Sequence, residues 1–446
     1  MSHYISITDA ERADMLAAIG LESVSDLFAD IPSHLRFPPM DLPEPLSEVD
    51  LLRELHALSQ QNAHGQSHRI FLGAGAYHHF VPSAVDHILR RSEFYTAYTP
   101  YQPEMSQGTL QAIFEYQSLM SALTGMEVVN ASHYDGGTAV AEAAIMALNL
   151  SRKRRKLVVA RSVHPQYRTV LRTYLQGLDV QIVGDEDPNV TLDDTLAQVD
   201  SDTAAVVLQS PDFLGRLYDM RPIAQRIHAA GALLSLHVDP IALGLFQTPA
   251  EADADMATAE GQSLGIGLNF GGPYLGIFAS RKKYVHKIAG RLVGATRDLD
   301  GRLAYVMTLR AREQDIRRDR ASSNICTNQA LMALAATVWM SLLGKQGLKQ
   351  IARICYHRAH YAANQIKQLR GYTVLDQRPF FREFVVQCPH PIAEIQSMLH
   401  DHGIVGGYDL SLDEPQLGHA MLLCVTEMNT RADIDALVTV LREIRD

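Results

Sequence analysis

The sequence predicts an α/β protein with a large domain built on a mostly parallel sheet and a small C-terminal α+β domain. Short apolar strands alternate with helical segments between residues 66 and 320, a pattern typical of sheets covered by helices on both faces. This alternation stops near Arg320, where long helical segments precede two short strands. Prolines interrupt the first 65 residues, which predicts an arm of short helices that packs on a body or on a partner.

The elements of the large domain follow from the spacing of its apolar residues. Helical periodicity predicts helices over 111–123, 139–150 and 163–177. Apolar runs bounded by turn residues predict strands at 128–130, 156–160, 180–183, 204–209, 233–238 and 274–279. Because helices separate most of these strands, we expect most of them to pair in parallel.

The C-terminal region has a different order of elements. Helical segments span 328–343 and 347–369, and strands are predicted at 384–387 and 420–425. Thr430 is the predicted N-cap of a terminal helix that reaches residue 444. The predicted domains are therefore the arm at 1–65, the large domain at 66–320 and the small domain at 321–446.

The composition excludes several classes of protein. With 446 residues, of which 47% are hydrophobic and 20% charged, the chain has the balance of a soluble protein with two or three domains. The formal net charge of -10 argues against binding to nucleic acid or to anionic membranes. Four cysteines without a CxxC pair suit a reducing cytoplasm. Neither a signal peptide nor an apolar run of the ~20 residues that a membrane helix needs is visible.

Two short motifs predict a site for an anionic cofactor. Asp135-Gly136-Gly137-Thr138 opens a predicted helix, where glycines let backbone N–H groups approach an anion that the helix dipole favours. Asp239 lies just past an apolar strand, where its carboxylate could hold a protonated ring nitrogen, as pyridoxal phosphate requires. Each motif also has a simpler interpretation, as a tight turn before a helix and as a carboxylate that caps a turn.

The lysine that a pyridoxal enzyme needs is missing from the expected place. No lysine lies between Leu157 and Arg281, and the nearest ones, Lys282 and Lys283, follow the far end of a predicted strand. A Schiff base cannot form without an amine, so we expect that this chain does not hold the cofactor covalently. No metal site is predicted, because the adjacent histidines His78 and His79 point in different directions on most backbones.

Five longer motifs carry a resemblance to a known family. They resemble, in order, segments of the P-proteins of the glycine cleavage system, and they span 71–82, 95–108, 131–139, 270–276 and 323–331. The resemblance implies the type I fold of pyridoxal-phosphate-dependent transferases. It also implies two related halves that some organisms encode as separate subunits of an α2β2 complex, of which only the second half carries the cofactor lysine. Gln262-Ser263 stand at about that position here.

The same resemblance implies a function. The chain would be the subunit without the cofactor lysine in a cytoplasmic glycine dehydrogenase (aminomethyl-transferring), an oxidoreductase that is active only with its partner. The partner, subunit 2, would bind pyridoxal phosphate. Together they would decarboxylate glycine and transfer the aminomethyl group to the lipoyl arm of H-protein. Two alternatives stay open: a stand-alone pyridoxal-dependent lyase or aminotransferase, and a purely structural or regulatory partner.

The resemblance and the residues together predict two sets of site residues. Residues of the 95–107 segment are predicted to reach the partner's active site, because prolines keep this polar and aromatic segment irregular. They are Tyr95, Tyr98, Tyr101 and Glu104. The remnants of a cofactor site in this chain are predicted to be Gly136, Gly137, Thr138 and Asp239. The alternative for the segment is a surface loop whose tyrosines cap the core.

Overall fold

A computed structural model of the chain describes residues 6–151, 153–321, 323–375 and 378–444. The chain divides into two units, of which one ends at Asn62 and the other begins at Ala63. Residues 1–5 of the predicted arm lie outside the described residues.

The unit that ends at Asn62 consists of short helices, as the prolines predict. It contains α1 (Asp9–Ala18), two 3-10 helices (Val24–Phe28 and Ser33–Leu35) and α2 (Glu48–Ser59). Thr8 caps α1 in a capping box with Glu11, which fixes where this helix begins. Among the described residues of this unit, only Leu16 is buried. The unit therefore has almost no core of its own.

The second unit contains the remaining helices and all strands of the described residues. The strands are β1 (Arg69–Ile70), β2 (Val128–Val129), β3 (Lys156–Val159), β4 (Gln181–Val183), β5 (Thr203–Ser210), β6 (Leu233–Val238), β7 (Met256–Glu260), β8 (Gly276–Ser280), β9 (Leu292–Arg297), β10 (Leu303–Thr308), β11 (Thr373–Val374), β12 (Glu383–Gln387), β13 (Ile404–Val405), β14 (Tyr408–Asp409) and β15 (Ala420–Cys424). The helices are α3 (Ser83–Leu89), α4 (Ser92–Tyr95), α5 (Gln107–Thr124), α6 (Gly136–Ser151), α7 (Pro165–Leu175), α8 (Leu192–Ala197), α9 (Met220–Ala229), α10 (Gln314–Arg317), α11 (Ala330–Ile366), α12 (Ile392–Asp401) and α13 (Arg431–Glu443).

The central sheet has seven strands in the order β2-β8-β7-β6-β5-β3-β4. From β7 to β4 all neighbours are parallel, whereas β8 runs antiparallel to both β7 and β2. The predicted α/β fold with a mostly parallel sheet is confirmed. Strand β7 is not predicted from the sequence, because Met-Ala-Thr-Ala-Glu lacks the run of large apolar residues that marks β5 and β6.

Helix α6 packs across the middle of this sheet, against β5, β6, β7 and β8. It is buried on nearly all sides, and the alanines of its sequence let it approach the strands closely. It begins three residues earlier than the periodicity predicts, because Gly136 and Gly137 already belong to it. The glycine turn is thus placed at the edge of the sheet.

The C-terminal region forms a second sheet with the order β11-β12-β15-β14, and all its neighbours are antiparallel. Its apolar core includes residues of α11, α12 and α13. The sequence predicted only two of the four strands, since β11 and β14 have two residues each and are too short to show a period. Thr430 caps α13 as predicted.

Helix α11 joins the two cores of this unit. Its residues from Ala333 to Cys355 pack in the core of the central sheet, and those from Ala359 to Ile366 pack under the second sheet. The sequence predicted two helices here, and Gly344 is indeed non-helical, with φ 60°. By length and composition α11 alone among the described helices could cross a membrane, which is weak evidence because core helices also pass this test.

Candidate functional site

The predicted cofactor residues meet at one edge of the central sheet. The parallel strands β5, β6 and β7 are neighbours, so their carboxyl ends lie side by side. Asp239 follows β6, and Gln262-Ser263 follow β7. His164, the N-cap of α7, lines the same cleft as Asp239.

The glycine turn at the start of α6 is closed by a carboxyl group of the same chain. The N–H of Gly136 donates to Oε2 of Glu260 at 2.8 Å, and Oε1 accepts from the N–H groups of Gln262 and Leu275 at 2.9 and 3.0 Å. Burial raises the pKa of Glu260 to about 8, while these three donors act in the opposite direction. Asp135 and Thr138 bond each other across the turn. The place where a helix start receives an anion is therefore taken by Glu260.

An aromatic ring fills the space beside the turn. Tyr167 stacks on His164 with ring centroids 4.5 Å apart and meets His237 edge-on at 5.0 Å. A Cβ atom at Gly136 would lie 2.9 Å from the Tyr167 hydroxyl oxygen, so glycine is needed for this contact. Burial lowers the pKa of His237 to about 3, and its Nδ1 lies 3.0 Å from the Thr258 hydroxyl.

Asp239 caps a turn and also pairs with a positive charge, but that charge belongs to a residue of this chain and not to a cofactor. Oδ1 accepts the N–H of Ile241 at 2.8 Å and so caps the turn. Oδ2 lies 2.5 Å from Nη2 of Arg382, whose side chain is only 1% exposed. The guanidinium stacks over the Tyr77 ring at 3.6 Å and lies 3.4 Å from the Ser263 hydroxyl. It thus takes the place that a protonated ring nitrogen would have beside Asp239.

Gln262 stands where the family resemblance places the lysine, and its side-chain amide forms three hydrogen bonds within the chain. Its Oε1 accepts the Tyr77 N–H at 2.8 Å, and its Nε2 donates to the carbonyl groups of Tyr77 and Ile266 at 3.0 and 2.8 Å. Glu383 bonds the Tyr77 hydroxyl at 2.9 Å. The side chains after β7 therefore serve packing and hydrogen bonding within the chain.

These contacts test whether the residues fit pyridoxal phosphate, and they do not. Glu260 takes the anion position, Arg382 pairs with Asp239, and the sequence offers no lysine at this edge. The roles of Glu260 and Arg382 are not predicted from the sequence, because their partners, Gly136 and Asp239, are distant from them in the chain and no local pattern links the members of each pair.

A buried group with metal-ligand atoms lies next to Arg382. The ligand atoms of His79, Cys355 and Glu427 lie within 4.8 Å of one another. However, His79 Nδ1 is 2.7 Å from Glu427, and its Nε2 contacts the Arg382 guanidinium. A cation there would stand beside a buried positive charge, so the group is explained as a hydrogen-bond network.

The 95–107 segment lies elsewhere, and none of its four predicted residues lines the cleft around Asp239. Tyr95 and Tyr98 are 57% and 71% exposed, and Glu104 is exposed as well. Tyr101 differs, because its hydroxyl accepts from Nη2 of Arg291 at 3.1 Å. Gln107 anchors the end of the segment through two hydrogen bonds of 2.9 Å to the backbone of Tyr305 in β10.

Comparison with known proteins shows the family of the chain. A family model described as the glycine cleavage system P-protein matches residues 2–441. The chain belongs to the P-protein family. A relative from Thermomicrobium roseum, named probable glycine dehydrogenase (decarboxylating) subunit 1, is 53% identical over 439 residues, with 98% of each chain covered. A relative of the same name from Moorella thermoacetica is 50% identical over 444 residues, with 99% of each covered.

Solved structures share the fold of this P-protein chain. A crystal structure of glycine decarboxylase (P-protein) of the glycine cleavage system in inhibitor-bound form is 40% identical, with a TM-score of 0.92 over 99% of this chain and 100% of that chain. A sphingosine-1-phosphate lyase from Burkholderia pseudomallei has a TM-score of 0.66 at 15% identity, covering 92% of this chain and 94% of that one. The expected type I fold of pyridoxal-phosphate-dependent enzymes is confirmed.

Proposed function

We propose that this chain is the P-protein subunit that lacks the cofactor lysine. In this proposal it assembles with a lysine-bearing second subunit into an α2β2 complex, and the partner binds pyridoxal phosphate. The complex decarboxylates glycine and transfers the aminomethyl group to the lipoyl arm of H-protein. The observation that carries the proposal is the pocket that Arg382 and Glu260 close at the sheet edge. The relatives' name, subunit 1, supports a second subunit.

Exposed apolar side chains support an assembly with a partner. In the unit that ends at Asn62, the side chains of Phe37, Met40 and Leu42 are all more exposed than buried. In the second unit, Phe270 of the Gly-rich loop before β8 is 97% exposed. Exposed apolar patches mark interaction sites in soluble proteins, and Phe37, Met40 and Leu42 lie within six residues of one another in the chain. We assign these surfaces to contacts with the second subunit.

The second unit is proposed to contain two domains, and the chain is proposed to lie in the cytoplasm. We propose that residues 66–320 and 321–446 are two domains, each with its own sheet, and that α11 joins them by packing in both apolar cores. We also propose that the chain works as a soluble protein in the cytoplasm. Burial of α11 residues in both cores supports this, because those residues are not available to lipid.

The 95–107 segment is proposed to contribute side chains to the partner's active site. The side chains of Tyr95, the last residue of α4, and of Tyr98 and Glu104, in the irregular stretch after it, are exposed, and the end of the segment is anchored to β10, as expected of residues that reach a neighbouring subunit. We assign them to the partner's active site, where they would contact glycine or the cofactor. Tyr101 is held by Arg291 and would position the segment.

The assembly is tested with the two subunits purified separately and together. Release of carbon dioxide from carboxyl-labelled glycine, with lipoylated H-protein present, should be negligible for either subunit alone and should reach its maximum at an equimolar ratio. Full activity of the partner alone would favour a structural or regulatory role for this chain. Aldimine absorbance and activity of this chain alone would favour the stand-alone enzyme.

The segment is tested by Tyr95→Phe and Glu104→Gln in the assembled complex. Turnover should fall about tenfold or more for each, near the ~1.4 kcal/mol that a tenfold change represents. Gel filtration should still show the intact complex. Glu186→Gln, a change at another exposed carboxylate, is the control and should leave turnover unchanged. Wild-type turnover in both test variants would mean that the segment only packs on the core.

A further inference from the structure

A second group of buried charges lies at the base of the β9–β10 hairpin. Arg291 directly precedes β9, and Arg312 follows β10 in a short 3-10 helix (Arg310–Arg312). Because the two strands are antiparallel, the hairpin brings these two arginines to one end. Both line a cavity together with Ser132, Glu313, Thr327 and Asn328.

The two arginines of this cavity carry more N–H donors than the acceptors around them pair with. Among the residues that the structure describes, Nε of Arg291 and both Nε and Nη2 of Arg312 have no hydrogen-bond partner. Arg291 is only 6% exposed. One carboxylate, Glu313, is near, with Oε2 3.6 Å from Arg291 Nε. Glu313 is the one carboxylate among the described residues that line the cavity, and its Oε1 also has no hydrogen-bond partner. The cavity thus holds an excess of one positive charge and three unpaired donor nitrogens against one unpaired acceptor.

The backbone at the cavity wall is strained. Ser132 has φ 145°, a value that residues with a side chain rarely adopt, and it is fully buried. Its hydroxyl accepts the N–H of Gln329 at 3.0 Å, and Asn328 bonds the carbonyl of Ala131 at 3.0 Å. Strain of this kind persists where surrounding contacts fix it, and it collects at binding sites.

The cavity is linked to the 95–107 segment. Arg291 donates to the hydroxyl groups of Thr99 and Tyr101 at 3.1 Å each. The guanidinium groups of Arg291 and Arg310 both lie over the Tyr101 ring, at 5.4 and 5.3 Å from its centroid. The same arginine therefore holds the segment and lines the cavity.

We propose that this cavity is an oxyanion site, which takes a carboxylate or a phosphate monoester through Arg291 and Arg312. Guanidinium groups suit such ligands, since they form paired, charge-assisted hydrogen bonds with oxyanions. In the assembled enzyme two oxyanions are available, the carboxylate of glycine and the phosphate of the partner's cofactor. This choice of sources rests on the proposed function, but the presence of the site does not.

The site itself is tested on the full chain alone, with inorganic phosphate as the probe. Calorimetric titration should show saturable binding that sodium chloride at equal ionic strength does not reproduce. Arg312→Gln should weaken phosphate binding about tenfold or more. Arg312→Lys keeps the charge and alters the donor geometry, so its affinity for phosphate should lie between those of the wild type and Arg312→Gln. This intermediate affinity would distinguish loss of the site from a folding defect. Arg302→Gln is the control, because Arg302 is on the same hairpin and is 77% exposed.

Two measurements on the complex separate the sources. If the ligand is the carboxylate, Arg312→Gln should raise KM for glycine about tenfold and leave the Kd of pyridoxal phosphate unchanged. If the ligand is the cofactor phosphate, Arg312→Gln should raise the Kd of pyridoxal phosphate and leave the KM for glycine unchanged. Phosphate binding by the Arg312→Gln chain equal to that of the wild type, or no binding beyond that of chloride, overturns the site. If wild-type subunits fail to assemble, the proposed function fails while the phosphate titration still decides the oxyanion site.

Discussion

The ion pair of Arg382 and Asp239 gives the sharpest test of the closed pocket. The two side chains are 1% and 13% exposed, and their nearest atoms are 2.5 Å apart. Removing one partner of a buried ion pair leaves an uncompensated charge and destabilises a protein by roughly 3–5 kcal/mol. We therefore expect Arg382→Met and Asp239→Asn each to lower the free energy of unfolding by about that amount. The amide oxygen that Asp239→Asn introduces can still accept the N–H of Ile241, so the turn cap is kept.

A double-mutant cycle isolates the pair. The variant with both changes removes both charges, so its destabilisation should be smaller than the sum of the single effects by about 2 kcal/mol or more. The assay is urea unfolding followed by the fluorescence of Trp339, the single tryptophan of the chain. Trp339 is buried and donates to the carbonyl of Phe80 at 3.1 Å, next to His79, which contacts Arg382. The probe thus reports the core that holds the pair.

An exposed pair supplies the control for this cycle. Arg90 and Asp86 form an i,i+4 pair with side chains 78% and 63% exposed. Arg90→Met should change the free energy of unfolding by less than about 1 kcal/mol, since solvent screens such pairs. If Arg382→Met costs no more than Arg90→Met, or if the two changes in the pocket are strictly additive, Arg382 does not compensate Asp239 and the explanation of the closed pocket is refuted.

Three further outcomes are expected. Borohydride reduction of the chain with pyridoxal phosphate should leave no label between Leu157 and Arg281 on peptide mapping, and stoichiometric labelling of one lysine elsewhere together with activity would contradict a partner-bound cofactor. Ser263→Lys should not create a decarboxylase, because Arg382 lies 3.4 Å from Ser263 and fills the pocket; glycine decarboxylation by that variant alone would show otherwise. Burial raises the pKa of Glu142 from 4.5 to about 7, so the folded chain keeps a proton there that the unfolded chain releases, and stability falls as pH rises from about 4.5 to about 7. Glu142→Gln should reduce this fall by roughly 2 kcal/mol between pH 5 and 7 in urea unfolding, and an unchanged pH profile would contradict the shift.

The sequence by itself determined the α/β class and the absence of a lysine that could form a Schiff base at the cofactor position. Strands such as β5 and β6 are continuous apolar runs because both of their faces are buried, and that property is visible in a single chain. The caps at Thr8 and Thr430 depend on contacts within a few residues, so local sequence sets them. The absence of a lysine between Leu157 and Arg281 is also final, because folding cannot supply an amine.

Only the tertiary structure decided what occupies the place of the cofactor. Asp239 and the glycine turn at Gly136 are the same in sequence whether they hold a cofactor or not. Their partners come from other parts of the fold, Glu260 from the end of β7 and Arg382 from the residue before β12, and meet them only after the sheets have formed. The strand β7, which carries Glu260, shows no clear period of its own. Local patterns report local contacts and burial, whereas the pairing of buried charges depends on which distant segments the fold brings together.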